Sequence, residues 1–249
     1  MAAIKMNLSD ITFGTPMSDI KVPAFLKRNI ISGVDYFDEV LGGNGLTPSQ
    51  MMIFTGDPGA GKTTMLMKVA DSLGKNDNNI VVYNSAEESV YQLRKVVDRI
   101  GIKGNFLVGN EKSIDKIVDN CKELQRLNPG KELILIVDSL QNMEAYHEGY
   151  KKDVDFANLV AERMIAFAKQ SHAAVITIGQ VTKSGALAGS NKVKHAVDTH
   201  IHLGVEEKDE QYIGTRVLEV RKNRFGGSGH ILFLDLGSKG FNKIGSVGC

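Results

Sequence analysis

Tryptophan is absent, and cysteine occurs only twice, at Cys121 and at the last residue, Cys249. Two thiols so far apart supply neither a four-thiolate zinc site nor a disulfide framework, and they suit a reducing compartment. An excess of one charge is also missing. Thirty Lys and Arg stand against 29 Asp and Glu, a formal net charge of +1. No bulk field therefore draws the chain to nucleic acid, and any basic surface must be local. No apolar run approaches the length of about 20 residues that a membrane-spanning helix needs. The N-terminus lacks the basic, then apolar, then small-residue order of a secretory leader. The expectation is a cytoplasmic protein with no membrane partner. At 249 residues the chain has ample length for one large α/β core.

What is present is organised around Gly56-Asp57-Pro58-Gly59-Ala60-Gly61-Lys62-Thr63-Thr64. The apolar run Met51-Met52-Ile53-Phe54-Thr55 precedes it and reads as a buried strand. Leu66, Val69, Ala70 and Leu73 follow at helical spacing. Strand, Gly-rich turn and helix form the context in which G-x-x-x-x-G-K-[ST] binds phosphate. Gly59 and Gly61 let successive N–H groups turn inward on an anion, and the helix adds its N-terminal dipole. Lys62 would reach the β- and γ-phosphates of ATP, and the Thr63 hydroxyl would ligand Mg²⁺.

The rest of the chain alternates. Residues 1–28 read as an arm whose anchors Leu8, Ile11, Phe13 and Phe25 pack on the chain's own core or on a neighbour; 29–249 read as the core. Ser32 is the expected N-cap of a helix over Val34, Phe37, Val40 and Leu41, ended by Gly42-Gly43. Strands are expected at Ile80–Tyr83, Phe106–Val108, Leu133–Val137 and Ala174–Ile178. Helices are expected over 90–100, from a Ser113 cap to Asn128, and over 153–172. The segment 182–194, rich in Gly, Ser and Lys, reads as mobile. Thr199–Leu203, Thr215–Arg221 and His230–Leu236 read as strands with no helix between them. The pattern predicts a mostly parallel sheet with an antiparallel extension.

Polar residues end three of the apolar strands, at the sheet edge where open α/β folds bind ligands. Asp138, after five aliphatics, fits an acid that holds Mg²⁺ through its water shell, or an ordinary turn-capping Asp. Glu87 fits the carboxylate that deprotonates the attacking water, with Glu88 in reserve; either also suits a helix N-terminus. Gln180 is a γ-phosphate sensor or a turn amide. Lys222 and Arg224 share one face at the end of a strand, as a phosphate clamp or as a solvated strand edge. Lys151 and Lys152, near Tyr146 and Tyr150, and Lys183, Lys192 and Lys194 are contacts for single-stranded DNA or plain surface.

Taken together, Ser32-Gly33-Val34-Asp35, Leu41-Gly42-Gly43, the loop Gly56–Thr63, Ser85-Ala86-Glu87-Glu88-Ser89, Val137-Asp138-Ser139-Leu140-Gln141, Val181-Thr182-Lys183, Val197-Asp198-Thr199 and Lys222-Asn223-Arg224-Phe225-Gly226 resemble the RecA superfamily, most closely its RadA (Sms) branch. The resemblance runs from about Ile31 to Phe241. It implies a RecA-like, mostly parallel central sheet flanked by helices, with a C-terminal antiparallel β extension. It implies an oligomeric, DNA-dependent ATPase of recombination and repair, using ATP and Mg²⁺ on single-stranded DNA, with other recombination or replication proteins as further partners. Lys222 and Arg224 then act on a neighbour's nucleotide. A hexameric helicase-type motor and a KaiC-like nucleotide-gated assembly are the alternatives. The four-cysteine zinc module and the Lon-like domain of the branch are missing from this sequence, Gln180 replaces its usual His and Ala86 its usual Gly. That gives the expectation of a core-only, phage-type protein.

Overall fold

A computed structural model describes residues 13–145, 156–180 and 191–248, the side chains of Asn191 and Lys192 excepted. The expected strands become β1 (Met51–Gly56), β2 (Asn79–Ser85), β3 (Leu107–Gly109), β4 (Glu132–Asp138) and β5 (Ala174–Gln180), followed by β6 (Thr199–Val205), β7 (Arg216–Asn223), β8 (Ile231–Gly237) and β9 (Gly240–Val247). They form a nine-stranded sheet in the order β3-β2-β4-β5-β1-β6-β7-β8-β9. The first six positions are parallel, and β7, β8 and β9 are added antiparallel. This is the predicted RecA-like architecture.

Strand alternation explains how both faces of the parallel part are covered. Met52, Phe54, Ile134, Ile136, Ile176 and Ile201 pack with helices α1 (Asp35–Val40), α2 (Lys62–Leu73) and α3 (Val90–Ile100). Met51, Ile53, Leu133, Leu135 and Val175 point the other way, into α4 (Ile114–Leu127), α5 (Phe156–Ser171) and α6 (Asn191–Ala196). α3 starts with a capping box: Ser89 accepts from the Gln92 N–H while the Gln92 side chain accepts from the Ser89 N–H. Ser113 caps α4 as its spacing predicts. α2 is buried almost all round, Met65 and Met67 included, because β9 covers the side that an amphipathic helix would give to water. Truncating one of these side chains to Ala would cost about 2–5 kcal/mol.

Several local expectations need correction. Ser32 is not the helix N-cap: α1 begins at Asp35, and Ser32 Oγ accepts from the Val34 N–H instead. The turn before α1 is held by Asp38, whose carboxylate oxygens accept from the Ser32 and Gly33 N–H groups at 3.0 and 2.9 Å. The end of the segment read as mobile, 191–194, belongs to helix α6. β6 belongs to the parallel part, beside β1. β9 was not expected, because only Gly240 and Phe241 of its residues are buried and its alternation is too weak to read. Phe25 packs on the chain's own His172, with ring centroids 5.2 Å apart, while Phe13 is exposed. Leu8 and Ile11 lie outside the described residues.

Candidate functional site

The parallel register brings Gly56, Ser85, Asp138 and Gln180 to one edge of the sheet: Ser85 pairs with Asp138, and Gly56 with Gln180. A cavity of about 400 Å³ opens there, lined by the phosphate loop, Glu87, Glu88, Asp138, Ser139 and Gln180. Two glycines shape the loop. A Cβ on Gly56 would collide with the Leu203 carbonyl oxygen of β6. Gly61 lies at φ +105°, and a Cβ there would meet the Phe241 ring of β9 at 2.7 Å. The unexpected strand therefore packs against the loop. Asp57 ties the loop to β6: its Oδ2 accepts from the Val205 N–H at 2.9 Å, and its N–H donates to the Leu203 carbonyl at 3.1 Å. Pro58 and Gly59 line the cavity, and Ala60 is buried.

Lys62 donates from Nζ to the Gly56 and Asp57 carbonyls at 2.8 and 2.9 Å, folded onto its own loop. Burial lowers its pKa, against the pull of Asp138, Asp57 and Glu87. The Thr63 hydroxyl donates to Asp138 Oδ2 at 2.9 Å, and the Tyr83 hydroxyl donates to the same oxygen at 2.8 Å. Burial raises the Asp138 pKa, and those two hydrogen bonds oppose it. Thr63 and Asp138 thus present hard oxygen donors side by side, as Mg²⁺ and its waters require. Glu88 strengthens the fit: one of its carboxylate oxygens is buried with no hydrogen-bond partner, and burial, then Asp138 and Glu87, raise its pKa.

Glu87 Oε2 accepts from Asn142 Nδ2 at 3.0 Å, from Ser139 Oγ at 3.4 Å and from Gln180 Nε2 at 3.4 Å. Sequence reasoning missed Ser139, Asn142 and Tyr83. The polar pair at positions 139 and 142, directly after the most apolar strand, was the available signal for two of them. Tyr83 carries none, since a Tyr in a strand reads as core. Thr64 turns away from the cavity, and its hydroxyl accepts from Arg99 Nη2 at 3.1 Å.

Lys222 and Arg224 lie at the other edge of the sheet. Asn223 pairs with Thr199 and Thr199 with Met52, so these residues stand near the start of β1. The four steps from Thr199 to Leu203 span about 13 Å along the strand. Lys222 Nζ donates to the carbonyls of Lys194, His195 and Val197 at 3.2, 2.8 and 2.7 Å. Arg224 Nη1 meets Asp198 Oδ1 at 3.0 Å. Lys194, a candidate DNA contact, therefore sits at this edge too, on α6. Lys151, Lys152 and Lys183 lie outside the described residues, as does the Lys192 side chain.

Residues 47–182 match the AAA domain family. The chain is 32% identical over 215 residues to the DNA repair protein RadA of Aquifex aeolicus (strain VF5), an alignment covering 86% of this chain and 46% of the relative. The chain spans about half the length of the curated relatives it matches. Among solved structures, a DnaB-like replicative helicase superposes with TM-score 0.72 at 17% identity, covering 86% of this chain and 61% of that one. A KaiC-like protein from the archaeon Pyrococcus horikoshii superposes with TM-score 0.68 at 16% identity, covering 88% and 99%. No helix among the described residues is long and apolar enough to cross a membrane.

Proposed function

The chain belongs to the AAA domain family, and from that premise we propose that it is an ATPase of RadA-like type that works on single-stranded DNA as an oligomer. The observation that carries the ATPase reading is the cluster of Lys62, Thr63, Asp138 and Glu87 around one cavity at the end of β1. On this reading the loop N–H groups and Lys62 hold the β- and γ-phosphates. Lys62 exchanges the Gly56 and Asp57 carbonyls for phosphate oxygens, so its parking place costs little to leave. Thr63 and Asp138, with Glu88 beside them, hold Mg²⁺, which screens the phosphate charge when bound. Glu87 takes the proton from water. Glu87 is preferred because Asn142, Ser139 and Gln180 orient its Oε2, whereas one carboxylate oxygen of Glu88 is buried without a partner. Gln180 contacts the base and leads into residues 181–190, so it is placed to report the γ-phosphate to that segment.

Lys222 and Arg224 are proposed to serve a neighbouring subunit's nucleotide, since they stand at the edge of the sheet away from their own loop. The residues 29–249 are proposed as the ATPase core and 1–28 as an arm. Lys151, Lys152, Lys183, Lys192 and Lys194 are proposed to contact DNA phosphates. The test is ATP turnover with and without single-stranded DNA, together with electron microscopy in an ATP analogue. Stimulation by DNA and a ring or filament are expected. ATP turnover and assembly that ignore DNA would instead support a nucleotide-gated assembly, and unwinding of forked DNA a helicase. Replacing Lys183, Lys192 and Lys194 by Ala should reduce the salt slope of binding by about 0.7 for each DNA phosphate that a lysine no longer neutralises.

A further inference from the structure

Thr63 and Thr64 are consecutive in the first turn of α2, so their side chains stand about 100° apart around the helix. Their hydroxyls face different partners. Thr63 turns to Asp138 at the end of β4, on the metal side of the cavity. Thr64 is buried and turns to the guanidinium of Arg99, on the last turn of α3. The first hydrogen bond inside α2 is from the Met65 N–H to the Gly61 carbonyl at 2.9 Å, so the N–H groups of Lys62, Thr63 and Thr64 have no acceptor within the helix. Thr64, the last of these three, carries the hydroxyl that meets Arg99.

Arg99 is exposed and forms no ion pair among the described residues. The acid one residue before it, Asp98, is already taken by Arg94 at 2.6 Å. The described partner of Arg99 is thus a neutral hydroxyl, which uses one of its five N–H donors. A guanidinium with a planar fork of spare donors, next to free helix N–H groups, suits a phosphate. Lys62 lies on the γ-phosphate side, among the carboxylates of the cavity.

Resting on the nucleotide reading above, we propose that Arg99 is a binding residue for the α-phosphate of the nucleotide, held in place by the Thr64 hydroxyl. Lys62 and the loop then hold the outer phosphates, and the chain recognises a nucleoside polyphosphate from both ends of its phosphate row. Tripolyphosphate without a nucleoside engages the same donors, so charge alone does not test the assignment; the stereochemistry at the α-phosphorus does.

The experiment titrates Mg²⁺ with ADP, and with the two ADP diastereomers carrying sulfur at the α-phosphorus, into the wild-type chain, Arg99→Ala and Arg99→Lys. Circular dichroism confirms the fold of each, which an exposed side chain should not disturb. Wild type should prefer one diastereomer. Arg99→Ala should bind ADP about ten- to a hundredfold more weakly, the usual range for a charged hydrogen bond, and should lose most of the preference. Arg99→Lys should recover part of the affinity and little of the preference, because an ammonium lacks the planar fork. If Arg99→Ala binds ADP within twofold of wild type, Arg99 does not touch the nucleotide and the proposal falls. If affinity drops but the preference stays, Arg99 acts elsewhere on the nucleotide and the α-phosphate assignment falls. A wild-type chain that binds neither ADP nor ATP overturns the nucleotide reading itself, and this one with it.

Discussion

At the edge where β1 ends, Glu87, Glu88 and Asp138 line a cavity whose single cation among the described residues is Lys62. At the edge where β6 begins, Arg224 pairs with the Asp198 carboxylate, and Lys222 stands beside it on backbone carbonyls. On the proposed reading the first edge has acids for a metal and a base for water, and little to neutralise charge that develops in a transition state. The second has two cations side by side, Lys222 and Arg224. Lys222 satisfies its ammonium with carbonyls at the C-terminal end of α6, where the helix dipole is negative. Burial, then neighbouring Arg224, lower its pKa, and Asp198 opposes them. Each edge holds what the other lacks. On the proposed reading, two copies placed edge to edge complete one phosphoryl-transfer site.

The largest expected effect tests that division directly. Arg224→Ala should lower ATP turnover by about three to five orders of magnitude while leaving nucleotide binding by an isolated subunit nearly unchanged. The fold should survive, because Asp198 keeps its hydrogen bond from the Met51 N–H at 3.0 Å. Mixing Arg224→Ala with Lys62→Ala pairs an intact loop on one subunit with intact cations on the next. Turnover should return once subunits exchange. A mixture that stays dead, with exchange shown by mass, would place the cations in cis or outside the chemistry.

A smaller effect is expected from within the acidic edge. Glu87→Gln keeps the shape and the neighbours Asn142 and Ser139, but it cannot take a proton. Turnover should fall by about two to four orders of magnitude with ADP binding intact. Glu88→Gln should weaken the response to Mg²⁺ more than turnover at saturating Mg²⁺. If the two substitutions show the reverse pattern, the roles are exchanged.

How much of this contrast was legible follows from the kind of signal each part carries. The phosphate loop is a local pattern whose residues touch each other, so its glycines, Lys62 and Thr63 could be read directly. Asp138 and Gln180 could be placed because strand ends in a parallel sheet share an edge. Lys222 and Arg224 could be paired by alternation, but their distance from the loop needed the register of β6 between β1 and β7. Arg99 and Thr64 meet across two helices with no shared spacing. Phe241 escaped because its strand is mostly exposed and its role is to fill the space beside Gly61. Ser32 misled because its hydroxyl serves the turn one step before the helix begins.

The smallest effect lies midway between the edges, on β6. His200 Nε2 and His202 Nδ1 stand 2.8 and 2.9 Å from the Thr55 hydroxyl, immediately before Gly56. The hydroxyl has one proton to give and two lone pairs to accept with, and the Ile201 carbonyl at 3.4 Å is a further acceptor beside the two rings. Burial, then Arg221, pushes both imidazoles down to about 4. Lys194, Lys222 and the neighbouring ring act in the same direction on His200. Around His202, Asp57 and Glu219 oppose the shift and Lys62 adds to it. An unfolded His titrates near 6.5, so between these values the unfolded chain binds more protons than the folded one. The contribution to stability is complete above pH 6.5 and is lost as pH falls toward 4, about 2–3 kcal/mol for each ring by linkage. Asp138 and Glu88, with raised pKa values, work the opposite way over the acid range, so the informative quantity is a difference between proteins. A His200→Asn, His202→Gln double variant keeps polar groups beside Thr55 and removes both titrations. Urea unfolding at pH 7 and pH 5 should show the wild type losing about 1–3 kcal/mol more than the variant. Equal losses would mean that the rings are free to charge in the folded state, and that the row joining the two edges is open to water.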